Sequence, residues 1–323
     1  MKSKVVFMLA VFSLVLLSPQ LGATQGYPNK PVEIVLGFTA GTTFDIMTRL
    51  VADLGAKYLG QPMIVTNKTG AAGTIAAADV IASKPDGYKI FMHALDFFSG
   101  VVYTQKIPFD PNDLAPLANF MGVKMGLAVR ADSPIKNFSD FLSYVRKNPG
   151  QLKWAHQGRG TPPHLTVLAV LKKEGLTAID VPFKGAVEGV TALLGGHVDA
   201  LTVIYGNIAD LVKAGKLRFI VLYDEKRFKE FPEVPTLIEL GYREAVIPGV
   251  AGFYIHKNTP EDIQKKLLEV CKKVYDEPEF KKGLEKLNVE PLWGDPEFLR
   301  KKIEDTKKWQ IPLLKELGMY VGK

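Results

Sequence analysis

The sequence predicts an α/β protein of two lobes, each a mostly parallel sheet flanked by helices. Three observations carry this. The chain has 323 residues with 47% hydrophobic side chains, more than the ~100–200 residues usual for one domain. Its first hundred residues alternate short apolar runs with helix-period segments, an order that implies parallel strands covered on both faces. A second set of the same units begins at Met125.

The elements follow in order. Lys2 and Lys4 precede the apolar run Val5–Leu17, and Leu21-Gly22-Ala23 offers small residues before a cut. Residues 1–23 therefore read as an export signal, too short to span a membrane comfortably, with an uncleaved anchor as the alternative. Val32–Phe38 is the first strand. Ile46, Met47, Leu50, Val51, Leu54 and Tyr58 then form one apolar helical face, which Gly60 and Pro62 end. Met63–Val65 is expected as a short buried strand, Gly70–Ser83 as an alanine-rich helix, and Tyr88–His93 as a strand entered through the turn Pro85-Asp86-Gly87.

In the second set, strands are expected at Leu127–Arg130, Leu152–His156, Ala178–Phe183, Asp199–Ile204 and Leu217–Tyr223. Helices are expected near Phe138–Lys147, Pro163–Glu174, Val187–Leu194 and Ile208–Ala214. After Val250–His256 come Pro260–Asp276, Glu279–Lys286 and Pro296 to Leu317, with Pro312 a kink or break. Thr259-Pro260 and Asp295-Pro296 read as cap and first-turn pairs. No fixed-period repeat or low-complexity linker is present.

Charge and cysteine narrow the function classes. The formal charge is +7; without the two leader lysines it is 7 − 2 = +5. Basic residues are mixed with acids along the C-terminal helices, as solvated faces are, and not clustered as a nucleic-acid footprint. The single cysteine, Cys271, cannot form an internal disulfide and sits as a small core residue on an amphipathic helix.

The loop Gly37–Asp45 joins a strand to a helix. Thr42 and Asp45 have capping-box spacing, with Asp45 expected to reach back to the N–H of the cap. The remaining N–H groups and the helix dipole favour an anion. A P-loop needs Gly-Lys-Ser/Thr and a dinucleotide loop needs G-x-G-x-x-G; Gly37 and Gly41 fit neither, and a plain capped turn is the alternative. Two further loops repeat the arrangement, Gln157–His164 with Thr161 as N-cap, and Phe183-Lys184-Gly185-Ala186. At the carboxyl ends of parallel strands such loops line the ligand crevice of α/β sheets, and Arg159 and Lys184 suit a carboxylate.

Enzyme motifs fail. Ser133-Pro134-Ile135-Lys136 and Lys68-Thr69-Gly70 stand in the reverse order for a penicillin-recognising serine enzyme, without S-D-N between them. Histidines 93, 156, 164, 197 and 256 show no metal-ligand spacing. Asp45 and His164 suit an acid/base pair, but no motif sets a nucleophile beside them. No catalytic residue, metal or cofactor is expected.

With these residues in view, the chain resembles the substrate-binding receptors of tripartite tricarboxylate transporters, the Bug receptors. The match spans nearly the whole mature chain: Tyr27-Pro28-x-Lys30-Pro31, the GF-x-x-G-x-x-x-D loop, Gly60-Gln61-Pro62 and Pro85-Asp86-Gly87-Tyr88. It continues through Thr161-x-x-His164, Val181-Pro182-Phe183-Lys184-Gly185, Leu193-Leu194-Gly195-Gly196-x-Val198-Asp199, Lys213–Arg218 and Val234-Pro235-Thr236. The resemblance implies a periplasmic-binding-protein fold, a Venus flytrap whose lobes close on a carboxylate. It implies lobe 1 at 24–126 plus 250–323, lobe 2 at 127–249, and hinge-adjacent strands at Leu127–Arg130 and Val250–Phe253.

Carried over position by position, Phe38, Thr39, Gly41, Thr42 and Asp45 form the first binding loop. Arg159, Gly160, Thr161, His164, Lys184, Gly185 and Ala186 serve the second lobe, and Leu95 follows the strand ending at His93. The family usually has Gly-Gly at Gly41-Thr42 and a small polar residue at Arg159. It has small hydroxyl residues where this chain has Ala94-Leu95-Asp96-Phe97-Phe98, and a polar pair at Val203-Ile204. These departures suggest a ligand with an apolar body, so that benzoate-like or branched acids are expected to outbind citrate. The expected role is a monomeric periplasmic receptor that delivers an organic carboxylate to integral membrane transporter subunits. A sensor feeding a signalling kinase and an enzyme on the same scaffold are the alternatives.

Overall fold

The computed structural model describes residues 26–246 and 249–321; the expected leader lies outside them. The chain opens with β1 (Val32–Leu36), α1 (Thr43–Leu59), β2 (Met63–Asn67), α2 (Thr74–Ile81), β3 (Lys89–Ala94) and a short α3 (Asp96–Ser99), then runs through β4 (Leu114–Gly122) into β5 (Met125–Arg130). Next come α4 (Phe138–Lys147), β6 (Lys153–His156), α5 (Pro162–Lys173), β7 (Ile179–Pro182), α6 (Ala186–Leu194), β8 (Ala200–Ile204), α7 (Ala209–Lys213) and β9 (Leu217–Leu222). It returns through β10 (Val250–His256), α8 (Glu261–Asp276), α9 (Pro278–Lys286), β11 (Glu290–Gly294) and α10 (Pro296–Glu316).

Two sheets result, in the orders β11-β4-β10-β3-β1-β2 and β7-β6-β8-β5-β9. Both are mixed. β1 runs parallel to β2 and β3, and β6 parallel to β7 and β8. β10 and β4 enter the first sheet antiparallel, and β5 sits antiparallel between β8 and β9. The expected parallel units are those joined by helices; the antiparallel strands are those that carry the chain between sheets.

β4 and β11 go beyond the expected elements. Each holds a proline, Pro116 and Pro291, and proline in a strand ordinarily marks an edge or a bulge because it cannot donate to the ladder. Pro116 adjoins a register shift against β10. β11 is an edge strand with its own irregularity. β2 is also an edge strand, and Ile64 is 52% exposed, so it is not the buried strand expected. Thr259 does not cap α8; its hydroxyl donates to the His256 carbonyl and Pro260 takes the cap position. Pro312 lies inside α10 without ending it.

Each sheet has apolar packing on two faces. In the first, α1, α8 and α9 cover one face, with Cys271 buried among them, and α2, α3 and α10 cover the other. In the second, α4 and α5 pack around Trp154, and α6 and α7 around Leu201 and Phe219. The chain passes between sheets at Val123-Lys124 and again just before Val250. These crossovers touch, the Val123 N–H donating to the Gly249 carbonyl at 2.8 Å. A methyl group on Gly249 would fall 2.6 Å from Val123 Cβ, so the two passing segments lie backbone against backbone. The end of α10 reaches the second sheet's helices, where Leu314 packs on Leu165 and Lys172 pairs with Glu316 at 3.1 Å.

Candidate functional site

The loop after β1 is shaped by its own side chains. Gly41 takes φ +78°, a left-handed conformation that glycine adopts without steric cost. Thr42 caps α1, accepting the Asp45 N–H at 3.4 Å and donating to the Thr39 carbonyl at 2.9 Å. Asp45 accepts the Gly41 N–H at 2.9 Å, not that of Thr42, and also holds Arg49 at 3.0 Å and Asn67 at 2.9 Å. Burial alone would raise its pKa, but these donors outweigh it and hold the carboxyl below its ordinary range. Asp45 therefore clamps the loop.

The second sheet presents two loops beside each other. After β6, His156 Nδ1 meets the Gly158 carbonyl at 2.9 Å, and the same carbonyl accepts the Thr161 hydroxyl at 2.7 Å. Thr161 stands at the α5 cap as expected, with its hydroxyl turned to the loop instead of the helix. The Gly160 N–H donates to His164 Nδ1 at 3.2 Å, which leaves the ring proton on Nε2, facing Asp180 at 3.7 Å. Burial, with His156 beside it, pushes the His164 pKa down to about 3. His164 is neutral at physiological pH. Arg159 reaches Asp180 at 3.2 Å, its side chain 65% exposed. After β7, Lys184 is exposed, its N–H bound by Glu188, and Gly185 caps α6.

The loops of the two sheets meet. A methyl group on Gly185 would fall 2.4 Å from Thr39 Oγ1, and one on Gly206 2.5 Å from Thr43 Oγ1. Thr43 donates to Asn207 Oδ1 through both its N–H and its hydroxyl, each at 2.8 Å. Asn207, which follows β8, thus latches the cleft, and no motif marks it. Beside this contact lies a crevice of about 340 Å³, with Ala71, Ala72 and Thr104 on one wall and Gln157, Arg159 and Lys184 of the second sheet's loops on the other. Gln157 also reaches a narrow cavity of about 40 Å³ lined by Phe38, Phe44, His93, Met125, Pro163 and Ile204. The Phe38 ring stacks on His93 at 4.4 Å and contacts Phe44 at 4.3 Å. Thr39 Oγ1 and Gln157 Nε2 are buried without a hydrogen-bond partner among the described residues.

Several expected positions fall elsewhere. Leu95, Phe97 and Phe98 pack in the first sheet's core, and Val203 in the second's. Of the apolar positions expected at the cleft, Ala94 and Ile204 line the cavity, and Phe44 lines it as well. Asp96 lines it too, where Leu95 was expected. Gly41 is exposed, while Gly160 and Ala186 are buried behind the second sheet's loops. Asp45 and His164 do not form a pair, since the polar partners of each belong to its own sheet's loops.

His156, His164 and Asp180 have their ligand atoms within 4.8 Å of one another, a spacing that suits a cation. Their hydrogen bonds argue against one: His164 Nδ1 already takes a backbone donor, and Arg159 already neutralises Asp180. A larger cavity, about 580 Å³, lies on another flank of the crossovers, between Lys124, Asp224, Glu290 and Trp309. It holds none of the loops described above.

Among the described residues no helix is long and apolar enough to cross a membrane. A family model for the tripartite tricarboxylate transporter family receptor matches residues 47–319. The UPF0065 protein in the gbd 5' region of Cupriavidus necator is 36% identical over 302 residues, 93% of this chain and 91% of that one. The solved structure of the periplasmic binding protein BugD superposes with a TM-score of 0.84 at 28% identity, over 91% of this chain and 99% of that one. MatC from Rhodopseudomonas palustris, solved with bound malate, gives 0.81 at 27% identity, over 89% of this chain and 100% of that one.

Proposed function

The chain belongs to the receptor family of tripartite tricarboxylate transporters and has the two-lobe periplasmic-binding-protein fold, and on that premise we propose that it is an exported receptor that closes on an organic carboxylate and delivers it to the transporter's membrane subunits. One observation carries this reading: the inter-lobe crevice gathers Arg159, Lys184 and the unpartnered Gln157 amide opposite the Gly70–Ala72 loop that follows β2. A buried polar group without a partner costs about 1–3 kcal/mol, and a carboxylate oxygen in the crevice satisfies the Gln157 amide. The apolar body of the ligand packs on Phe38, Phe44 and Ile204. The malate in MatC places carboxylates first in any panel.

The test is calorimetric titration with mono- and dicarboxylates, sugars and simple amines, followed by recovery of the ligand. The reading expects a carboxylate to bind and to be recovered chemically unchanged. At a hundredfold excess over Kd it adds about 2.7 kcal/mol to stability. Binding of sugars or simple amines alone, or conversion of the ligand, overturns it.

A further inference from the structure

The aromatic cavity contains one acidic group that its other walls do not explain. Asp96 heads α3, is 3% exposed, and lines the cavity together with Phe38, Phe44 and His93. Its Oδ2 has no hydrogen-bond partner among the described residues. Buried carboxylates are ordinarily paired or hydrogen-bonded, because an unpaired charge in an apolar site is costly. No lysine or arginine lines this cavity, and its one histidine, His93, is held neutral by burial. The cations of the cleft, Arg159 and Lys184, stand in the adjoining crevice, and Gln157 borders both spaces. The cleft therefore has a positive end and a negative end, with aromatic rings at the negative one. Aromatic faces beside a carboxylate form a setting for a cationic nitrogen, which the ring quadrupoles and the acid attract together.

We infer that Asp96 selects the ligand: the receptor takes an acid that also bears a basic nitrogen, its carboxylate in the Arg159–Lys184 crevice and its nitrogen against Asp96. This rests on the carboxylate reading above and narrows it to zwitterionic acids. Plain diacids meet Asp96 as a like charge. A rival role for Asp96 is internal. Ser99, Tyr254 and Gln310 also carry buried polar atoms without partners, α10 packs on α3, and the Asp96 charge acts on Tyr254. An Asp96 serving that cluster would affect stability and not selectivity.

The probes are pairs that differ only in ammonium against methyl: γ-aminobutyrate with valerate, and δ-aminovalerate with caproate. They are titrated into the full mature chain and into Asp96→Asn and Asp96→Leu, with melting curves to confirm folding. The inference expects at least one amino acid to bind tenfold or more tightly than its methyl partner, and this preference to vanish in Asp96→Asn and reverse in Asp96→Leu. Methyl partners that bind as well or better, a preference that survives in Asp96→Asn, or failure of both amino acids to bind overturns it. If plain acids bind while the amino acids do not, the carboxylate reading stands and only the selection by nitrogen falls. If no carboxyl compound binds, both fall.

Discussion

Replacing Asp96 with asparagine should change how stability depends on pH. Burial raises the Asp96 carboxyl from its ordinary 3.8 to about 7, its own backbone N–H offsetting only part of that. The folded protein therefore holds this proton between about pH 4 and 7 while the unfolded chain has lost it. Stability then falls as pH rises, because the folded state binds more protons than the unfolded one. The contribution is fully present below 3.8 and is lost through about 7. At about 1.4 kcal/mol per pH unit, the loss between pH 5 and 8 is about 2.5 kcal/mol. Two other titratable groups bear on the site, and neither changes charge in that range. Burial pushes His93 down to about 4, and Tyr254 is raised above its ordinary value by burial and by Asp96. Asparagine keeps the shape and removes the titration. Urea unfolding of wild type and Asp96→Asn at both pH values should show the variant gaining about 2.5 kcal/mol relative to wild type on going to pH 8. Parallel pH profiles would refute the reasoning.

Three further outcomes follow from the cleft. Arg159→Ala and Lys184→Ala should each weaken binding of the recovered ligand about tenfold, about 1.4 kcal/mol, at the low end for charge-assisted bonds because both side chains are exposed; calorimetry reads this, and unaltered affinity in both would make them surface charges. Asn207→Ala removes two bonds at 2.8 Å to Thr43, so about 1–3 kcal/mol of closure should be lost, seen as a lower apparent affinity and a larger radius of gyration in solution scattering with ligand present. Gly185→Ala puts a methyl 2.4 Å from Thr39 Oγ1 at an extended φ of −165°; the empty protein should melt almost as wild type does, binding should drop more than tenfold, and Thr39→Ala should restore part of it.

How much of this was legible in the sequence depended on which physical signal each part leaves. α1 and α4 showed because apolar residues recur at helical spacing, and the loops at Gly41 and Thr161 showed because capping residues and glycines are local. β4 and β11 did not, since Pro116 and Pro291 argue against a strand until a partner tolerates the bulge. Val203 and Ile204 could not be told apart because alternate strand residues face opposite sides; the core takes the first and the cleft the second. Phe97 and Phe98 carry no periodic signal on so short a helix, and they turn into the core while Asp96 lines the cavity. Asn207 and Gln157 matter only through contacts across the cleft, which link residues far apart in sequence. Asp96 was legible as a departure from the family's hydroxyl residues, but its burial and lack of a partner belong to the fold.

The central claim, that the cleft holds an organic carboxylate, is tested most directly by purifying the exported protein without added ligand, denaturing it and identifying what it releases by mass spectrometry. The expected product is a small carboxylic acid, released intact and in up to equimolar amount, that rebinds the emptied protein. Release of a sugar, a peptide or another molecule lacking a carboxylate, which rebinds while carboxylic acids do not, would contradict it.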